Sequence, residues 1–216
     1  MLEHSGVTFQ WLGHDGFKVS HEGKTIYFDP YKLKSQHKKD ADLVLISHNH
    51  FDHLSVEDLA RVTDTNTHIV AAKECVSKLK GISAAEVKGV APGEKLTVQG
   101  IAIEAVPAYN VNKTFHPKSD GKVGFVVTVN GLRIYHAGDT DVIPQMEVIN
   151  PDVALVPVSG TYVMTAQEAA KCVNEILKPK QLAIPMHYGT IVGSESDAKT
   201  FSQLVTACTV KVLKQE

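Results

Sequence analysis

Seven residues constrain this chain more than any others: Ser47-His48-Asn49-His50-Phe51-Asp52-His53. They follow Leu43-Val44-Leu45-Ile46, an apolar run that reads as a buried strand. Side chains two apart in an extended chain leave on the same side, so His48 and His50 face together. Asp52 keeps that alternation. His53 breaks it, which requires the backbone to turn. Two imidazoles on one side, then a carboxylate and a redirected imidazole, suit two adjacent metal ions. A lone histidine there would read as part of a solvated loop. H-x-H-x-D-H closing an apolar strand does not.

A chain of 216 residues can bury a substantial core, as one domain or two similar halves, here about 1–105 and 106–216. Its apolar content (43%) and charged content (21%) are those of a soluble globular protein. The net charge of −2 supplies no global drive toward nucleic acid or anionic membranes. One local run is basic: Lys32, Lys34, His37, Lys38 and Lys39. It reads as a solvated loop, with anion steering as the alternative. Cys75, Cys172 and Cys208 are far apart and form no C-x-x-C, so neither a disulfide framework nor a thiolate zinc site is expected. The first residues lack a signal-peptide pattern, and no apolar run approaches membrane-spanning length. The expectation is a cytoplasmic protein with no membrane partner.

Hydrophobic patterning predicts strands over residues 7–12, 17–20, 25–28, 43–46 and 67–71, with a polar connection at 31–40. Ser55, with a carboxylate three residues later, opens a helix, and a second helix over 73–80 closes at Gly81. Strands at 86–90, 95–98 and 101–106 follow, then a long polar loop, Tyr109 to Gly121, of the length that tends to carry function. Asn130-Gly131 marks a hairpin between strands 123–129 and 132–136. A strand at 153–157, a helix from a Thr165–Glu168 capping box to about Leu177, a strand at 182–185, a helix near 195–206 and a strand near 210–213 complete the chain. The order, β-rich then βαβα, twice over, predicts two halves packed sheet against sheet with helices outside. Asp139 and His187 fall directly after strands, and Asn110 and His116 follow the 101–106 strand. Metal ligands must converge from different rigid elements, and strand ends provide that.

H-x-H-x-D-H, then Gly138-Asp139-Thr140, then Pro185-Met186-His187-Tyr188-Gly189 resembles the metallo-β-lactamase-fold hydrolase superfamily over nearly the whole chain. Leu12-Gly13-His14, Phe28-Asp29-Pro30 and Gly160-Thr161-Tyr162 look like the branch that includes the ascorbate-6-phosphate lactonase and the N-acyl-phosphatidylethanolamine phospholipase D. The resemblance implies an α/β fold, a four-layer αββα sandwich with the metal site at one edge. It implies His48 and His50 on a first metal, Asp52, His53 and His187 on a second, and Asp139 bridging them. A hydroxide between the metals would be the nucleophile. Imidazole and carboxylate ligands suit one or two Zn2+, with Mn2+, Fe2+ or Ni2+ as alternatives. His50 stands where iron-binding flavodiiron relatives usually carry glutamate, which favours zinc.

One position departs from the family pattern. The third histidine of the first metal is expected after the 101–106 strand, where this chain has Asn110. Three arrangements answer to that: His116 swings in from the loop, His14 takes the place, or the first site is weak. Asp29 is expected to orient a histidine by accepting its other N–H, with His136 in a similar supporting role. The candidate catalytic side chains are Asp52 as a proton acceptor, His14 at the substrate, and Tyr188 at the substrate or a developing oxyanion. Tyr162, Tyr109 and Lys113 are further candidates for that contact. The expected activity is hydrolysis of a small ester, lactone or phosphodiester, making the protein a lactonase or phosphodiesterase. A nuclease of the same fold and a scaffold disabled by Asn110 are the alternatives. A small-molecule substrate is the expected partner, with nucleic acid less favoured.

Overall fold

The computed structural model describes residues 1–34 and 36–216. Ser35, inside the expected 31–40 connection and between two lysines of the basic run, lies outside the described residues. The first sheet holds seven strands in sequence order: β1 (Leu2–His4), β2 (Val7–Gly13), β3 (Gly16–His21), β4 (Lys24–Phe28), β5 (Leu43–Ile46), β6 (His68–Ala72) and β7 (Glu86–Val90). The second repeats the plan with β8 (Lys95–Val98), β9 (Ile101–Pro107), β10 (Val123–Val129), β11 (Leu132–His136), β12 (Val153–Pro157), β13 (Leu182–Met186) and β14 (Thr209–Val210). In each sheet the first four strands pair antiparallel and the last four pair parallel. The chain passes between sheets at residues 91–94, ahead of the 105/106 division expected from sequence. Strand 101–107 pairs with β10 and strand 95–98 pairs with it in turn, so both belong to the second sheet.

Local sequence explains this alternation. Four hairpins close on two residues that both have positive φ, at Ser5-Gly6, Glu22-Gly23, Gln99-Gly100 and Asn130-Gly131. This is the turn geometry whose twist matches antiparallel strands. The three-residue, partly exposed β1 was not legible as a strand, since it has too few residues to show a period. Parallel strands β5, β12 and β13 are buried at every position, which fits their uninterrupted apolar runs.

Among the described residues three α-helices serve the parallel crossovers: α1 (Val56–Val62), α2 (Ala166–Cys172) and α3 (Glu195–Leu204). Ser55 Oγ accepts from the Asp58 N–H, and Thr165 and Glu168 form the reciprocal cap expected of them. The expected helix at 73–80 is a run of 3-10 turns over Lys73–Leu79. The helix from Thr165 keeps α-geometry only to Cys172 and widens to a π turn over Val173–Leu177. No helix among the described residues is long and apolar enough to cross a membrane.

Phe9, Val19 and Ile26 of the first sheet share one buried cluster with Ile103, Phe125, Val127 and Ile134 of the second. Leu59 and Val62 of α1 and Phe201 of α3 extend it outward. Phe125 is fully buried, so Phe125→Ala removes contacts without a route for collapse. The expected cost is about 3–5 kcal/mol, measured by urea unfolding. That is a large part of the ~5–15 kcal/mol that holds an ordinary domain together.

Candidate metal centre

The carboxyl ends of strands from both sheets meet along one edge. His14 follows β2, Asp29 follows β4, residues 47–53 follow β5, Asp139 follows β11, Ser159 follows β12 and His187 follows β13. The two sheets are laced there, since the Val123 N–H donates to the Ser47 carbonyl (3.1 Å). Gly138 makes the approach possible. It has φ +61°, and a Cβ on it would stand 3.0 Å from the Val123 carbonyl oxygen and 3.2 Å from Ser47 Cβ. The backbone is held in the left-handed region at four non-glycine positions around this edge: His14 (52°), Asp29 (37°), His116 (59°) and His187 (58°). Such conformations cost of order 1–3 kcal/mol each and persist where surrounding contacts enforce them.

Eight side chains gather in two groups. His48, His50, His116 and Asp139 offer ligand atoms that all lie within 4.8 Å of one another, and so do His14, Asp52, His53 and His187. In the first group His50 Nδ1 is 3.1 Å from both His48 Nε2 and His116 Nε2. Asp139 joins the groups. Its Oδ2 lies 3.3 Å from His116 Nε2 and 3.9 Å from His48 Nε2. Its Oδ1 lies 3.4 Å from His53 Nε2 and 3.3 Å from His187 Nε2. With bonds of ~2.1 Å, ligand atoms around one tetrahedral ion stand roughly 3.4 Å apart, so these spacings fit metal binding. His53 Nε2, His187 Nε2 and Asp139 Oδ1 are buried with no hydrogen-bond partner, as lone pairs turned toward a cation would be.

Protein contacts on the far side of each ring fix these orientations. His53 Nδ1 donates to Asp29 Oδ2 (2.8 Å), as expected for Asp29. Asp29 also accepts from the Ser47 N–H and hydroxyl. His48 Nδ1 meets Ser47 Oγ (3.0 Å), His187 Nδ1 meets Ser159 Oγ (2.9 Å), and His116 Nδ1 lies 3.2 Å from the Tyr162 carbonyl. An N–H held at Nδ1 leaves the Nε2 lone pair facing inward, an arrangement typical of metal-ligating histidines. Burial works against a charged His53, but Asp139 and Asp29 outweigh it and raise its pKa well above the usual histidine value. His187 moves the same way: burial opposes protonation, and Asp139 and Asp15 overcome it. Burial likewise favours a neutral Asp139, yet His187 and His53 hold it well below the ordinary carboxyl range. Protons therefore neutralise this carboxylate in the absence of metal, and a divalent ion on the same atoms would displace them.

A profile of the beta-lactamase superfamily domain matches residues 8–187. A UPF0173 metal-dependent hydrolase of Methanopyrus kandleri is 35% identical over 214 residues, covering 90% of each chain. Its counterpart in Pyrococcus abyssi is 37% identical over 223 residues, covering 92% of each. The chain belongs to the metallo-β-lactamase superfamily, in its UPF0173 group of metal-dependent hydrolases. Among solved structures, Igni18, a metallo hydrolase of Ignicoccus hospitalis, superposes with a TM-score of 0.78 at 27% identity, covering 97% of this chain and 95% of that one. A protein of Parabacteroides distasonis superposes at 0.81 with 28% identity, covering 97% and 94%.

Within this metal-dependent hydrolase, His116 stands in the first group and His14 in the second. Of the three arrangements open for the first group, the one that uses His14 does not match this grouping. His14 Nε2 lies 2.9 Å from Asp52 Oδ2, and the ring is fully buried behind it. Burial, against the pull of Asp52, lowers the His14 pKa to about 4, so a neutral imidazole donates to that carboxylate. Asp52 drops to about 2: burial opposes the fall, and the His14 hydrogen bond and His53 produce it. Asn110 sits under the loop rather than replacing a histidine from the same direction. Its Nδ2 donates to the carbonyls of Phe115 (2.9 Å) and Tyr162 (2.6 Å), and its own N–H to the His116 carbonyl (2.8 Å). The scaffold reading required a missing third imidazole, and His116 occupies that side of the first group.

Tyr188 departs from expectation. Its ring stacks on Trp11 at 4.6 Å and lines a cleft with Glu195 and Lys199 of α3, while the preceding His187 faces the histidines. Burial and Glu195 push its hydroxyl up to about 12, away from a proton-transfer role. The Tyr109 hydroxyl donates to Gln145, and Lys113 pairs with Asp141, so neither is free to meet substrate. His136 stacks on Phe28 and its Nε2 donates to the Asp15 carbonyl (2.8 Å), bracing the loop that carries His14. Sequence reasoning missed Ser47, Ser159 and Asp15. The serines had one signal: each directly follows, or lies two beyond, an apolar strand that ends at the metal edge. Asp15 had none. It is fully buried, and desolvation raises its carboxyl to about 8 although His187 and His53 pull it down.

Asp29 gives the first test of these supports. Asp29→Ala releases His53 Nδ1 and both Ser47 donors. Metal affinity is expected to fall about 10–100-fold, measured by competition with a chromophoric chelator.

Proposed function

We propose that the protein hydrolyses a small ester, lactone or phosphodiester with a pair of divalent ions, zinc in the first instance. The observation that carries this reading is the split of Asp139, with one oxygen toward each histidine group. A single structural ion would need one closed ligand set, whereas a shared carboxylate between two open sets suits a catalytic pair. His48, His50 and His116 would hold one ion, and His53, His187 and Asp52 the other. The pair would supply Lewis acidity and acidify a water to near-neutral pKa. The donor set of five imidazoles and two carboxylates favours zinc over magnesium or calcium, with manganese, iron and nickel as substitutes.

The chain's own groups do the remaining work. His14 holds Asp52 in place through its 2.9 Å hydrogen bond, which limits Asp52 as a base until that contact or its coordination loosens. Asp29 and Ser47 keep His53 and His48 aimed inward, and Ser159 does so for His187. The likeness in sequence to the ascorbate-6-phosphate lactonase and phospholipase D branch supports the same range of substrates. A panel of small esters, lactones and phosphodiesters, assayed with zinc or manganese, tests the reading. Turnover of at least one class, abolished by chelator and restored by metal, is expected. Absence of turnover across all three classes, in protein carrying two ions, would sink it.

A further inference from the structure

We propose that this site takes a substrate with an aryl or alkyl group, uncharged or singly charged, seated between two aromatic pairs that flank the metal cluster; the proposal rests on the hydrolase reading above. The two loops that supply ligands also carry large apolar side chains outward. Phe51, between His50 and Asp52, is 67% exposed, and Phe115, directly before His116, is 51% exposed. Solvation of such rings is unfavourable, and exposed aromatic rings packed in pairs beside a cluster of ligands are candidates for covering by a bound molecule. Here each ring is also pre-positioned. Phe51 meets Tyr31 edge-on at 5.9 Å, and the Tyr31 ring lies 6.3 Å from His14 in the second group. Phe115 meets Tyr162 edge-on at 4.7 Å, and the Tyr162 carbonyl holds His116 of the first group. One pair thus stands beside each half of the centre, and each includes a ring next in sequence to a proposed ligand. Such apolar walls around a few convergent polar groups are the usual makeup of a small-molecule site.

The cations nearby point the same way. Lys122 is buried and paired with Glu74 (3.0 Å) and Asp120 (3.6 Å). Lys113 is paired with Asp141, and Lys78 donates to the Asn49 carbonyl (2.7 Å). Lys32 lies over the Tyr31 ring at 5.3 Å. Lys122, Lys113 and Lys78 are engaged with the protein and the exposed Lys32 leaves one cation at the Tyr31 wall, which suits a single charge at most and leaves a polyanion such as a sugar diphosphate or RNA poorly matched, whereas a hydrophobic ester or lactone finds area to bury.

Binding of hydroxamates to the metal-loaded protein, followed by calorimetry, tests this without requiring turnover. Phenylacetohydroxamate and octanohydroxamate are expected to bind roughly tenfold or more tightly than acetohydroxamate. The double variant Phe51→Ser, Phe115→Ser is expected to shrink that gap to threefold or less, with acetohydroxamate affinity and metal content unchanged. Equal affinities for the three ligands in the native protein would overturn the proposal, as would no binding by any of them. A native dimer that the double variant converts to monomer would also overturn it, because the rings would then be a subunit contact. Failure to hydrolyse any ester, lactone or phosphodiester while the affinity gap persists would count against the hydrolase reading alone.

Discussion

Asp139→Ala is expected to empty both halves of the centre and lower hydrolysis by roughly three orders of magnitude, about 4 kcal/mol of transition-state stabilisation. Asp139 turns one oxygen toward each group, with His116 and His48 beside Oδ2 and His53 and His187 beside Oδ1. Its charge also compensates the whole cluster. Without it, five imidazoles and Asp52 would have to balance two dications. Asp139→Asn is the sharper variant because it keeps the volume of this buried residue while removing the charge and one acceptor. Both are measured by metal-to-protein ratio and by turnover of whichever ester or lactone the native enzyme accepts. A variant that keeps two ions and tenfold-reduced activity would show that the carboxylate is peripheral.

The second large effect concerns His116. His116→Ala is expected to lose one ion of two and to reduce turnover by about two to three orders of magnitude, since the second group remains complete. Asn110→His, the change that would restore the common family histidine, is expected to give no gain. It removes the amide that donates to the Phe115 and Tyr162 carbonyls and so loosens the loop that delivers His116. The Phe115 carbonyl loses its donor and the Tyr162 carbonyl keeps only His116 Nδ1; each lost hydrogen bond costs about 0.5–1.5 kcal/mol. Thermal unfolding of Asn110→His, together with its metal content, separates these effects. Rescue of His116→Ala by Asn110→His would mean that the two positions can deliver a histidine from either direction.

Much of the fold was readable because its signals are local. Two-residue turns, a Thr165 capping box and unbroken apolar strands each act over a few residues, and the structure repeats them in both halves. The passage between sheets comes ahead of the expected 105/106 division because β8 and β9 read as plain strands whichever sheet they join; pairing of β9 with β10, and of β8 with β9, decides it. The cluster at 47–53 announced itself through its spacing. The position of His116 did not, because a loop of irregular backbone with φ +59° at that residue has no periodicity to read. The same limit hid the roles of His14 and Asp15, whose loop turns through positive φ before entering β3. The packing of Tyr188 was hidden by the same kind of turn. His187 sits at φ +58° just past β13, where strand alternation gives no guide to direction, and the turn there sends Tyr188 onto Trp11.

The division of the centre by Asp139 is tested most directly by an anomalous difference map at the zinc edge from crystals of the zinc-loaded protein. Two peaks are expected, one among His48, His50 and His116 and the other among Asp52, His53 and His187, with the Asp139 carboxylate between them. A single peak, or a first peak completed by Asn110 with His116 turned away, would contradict it.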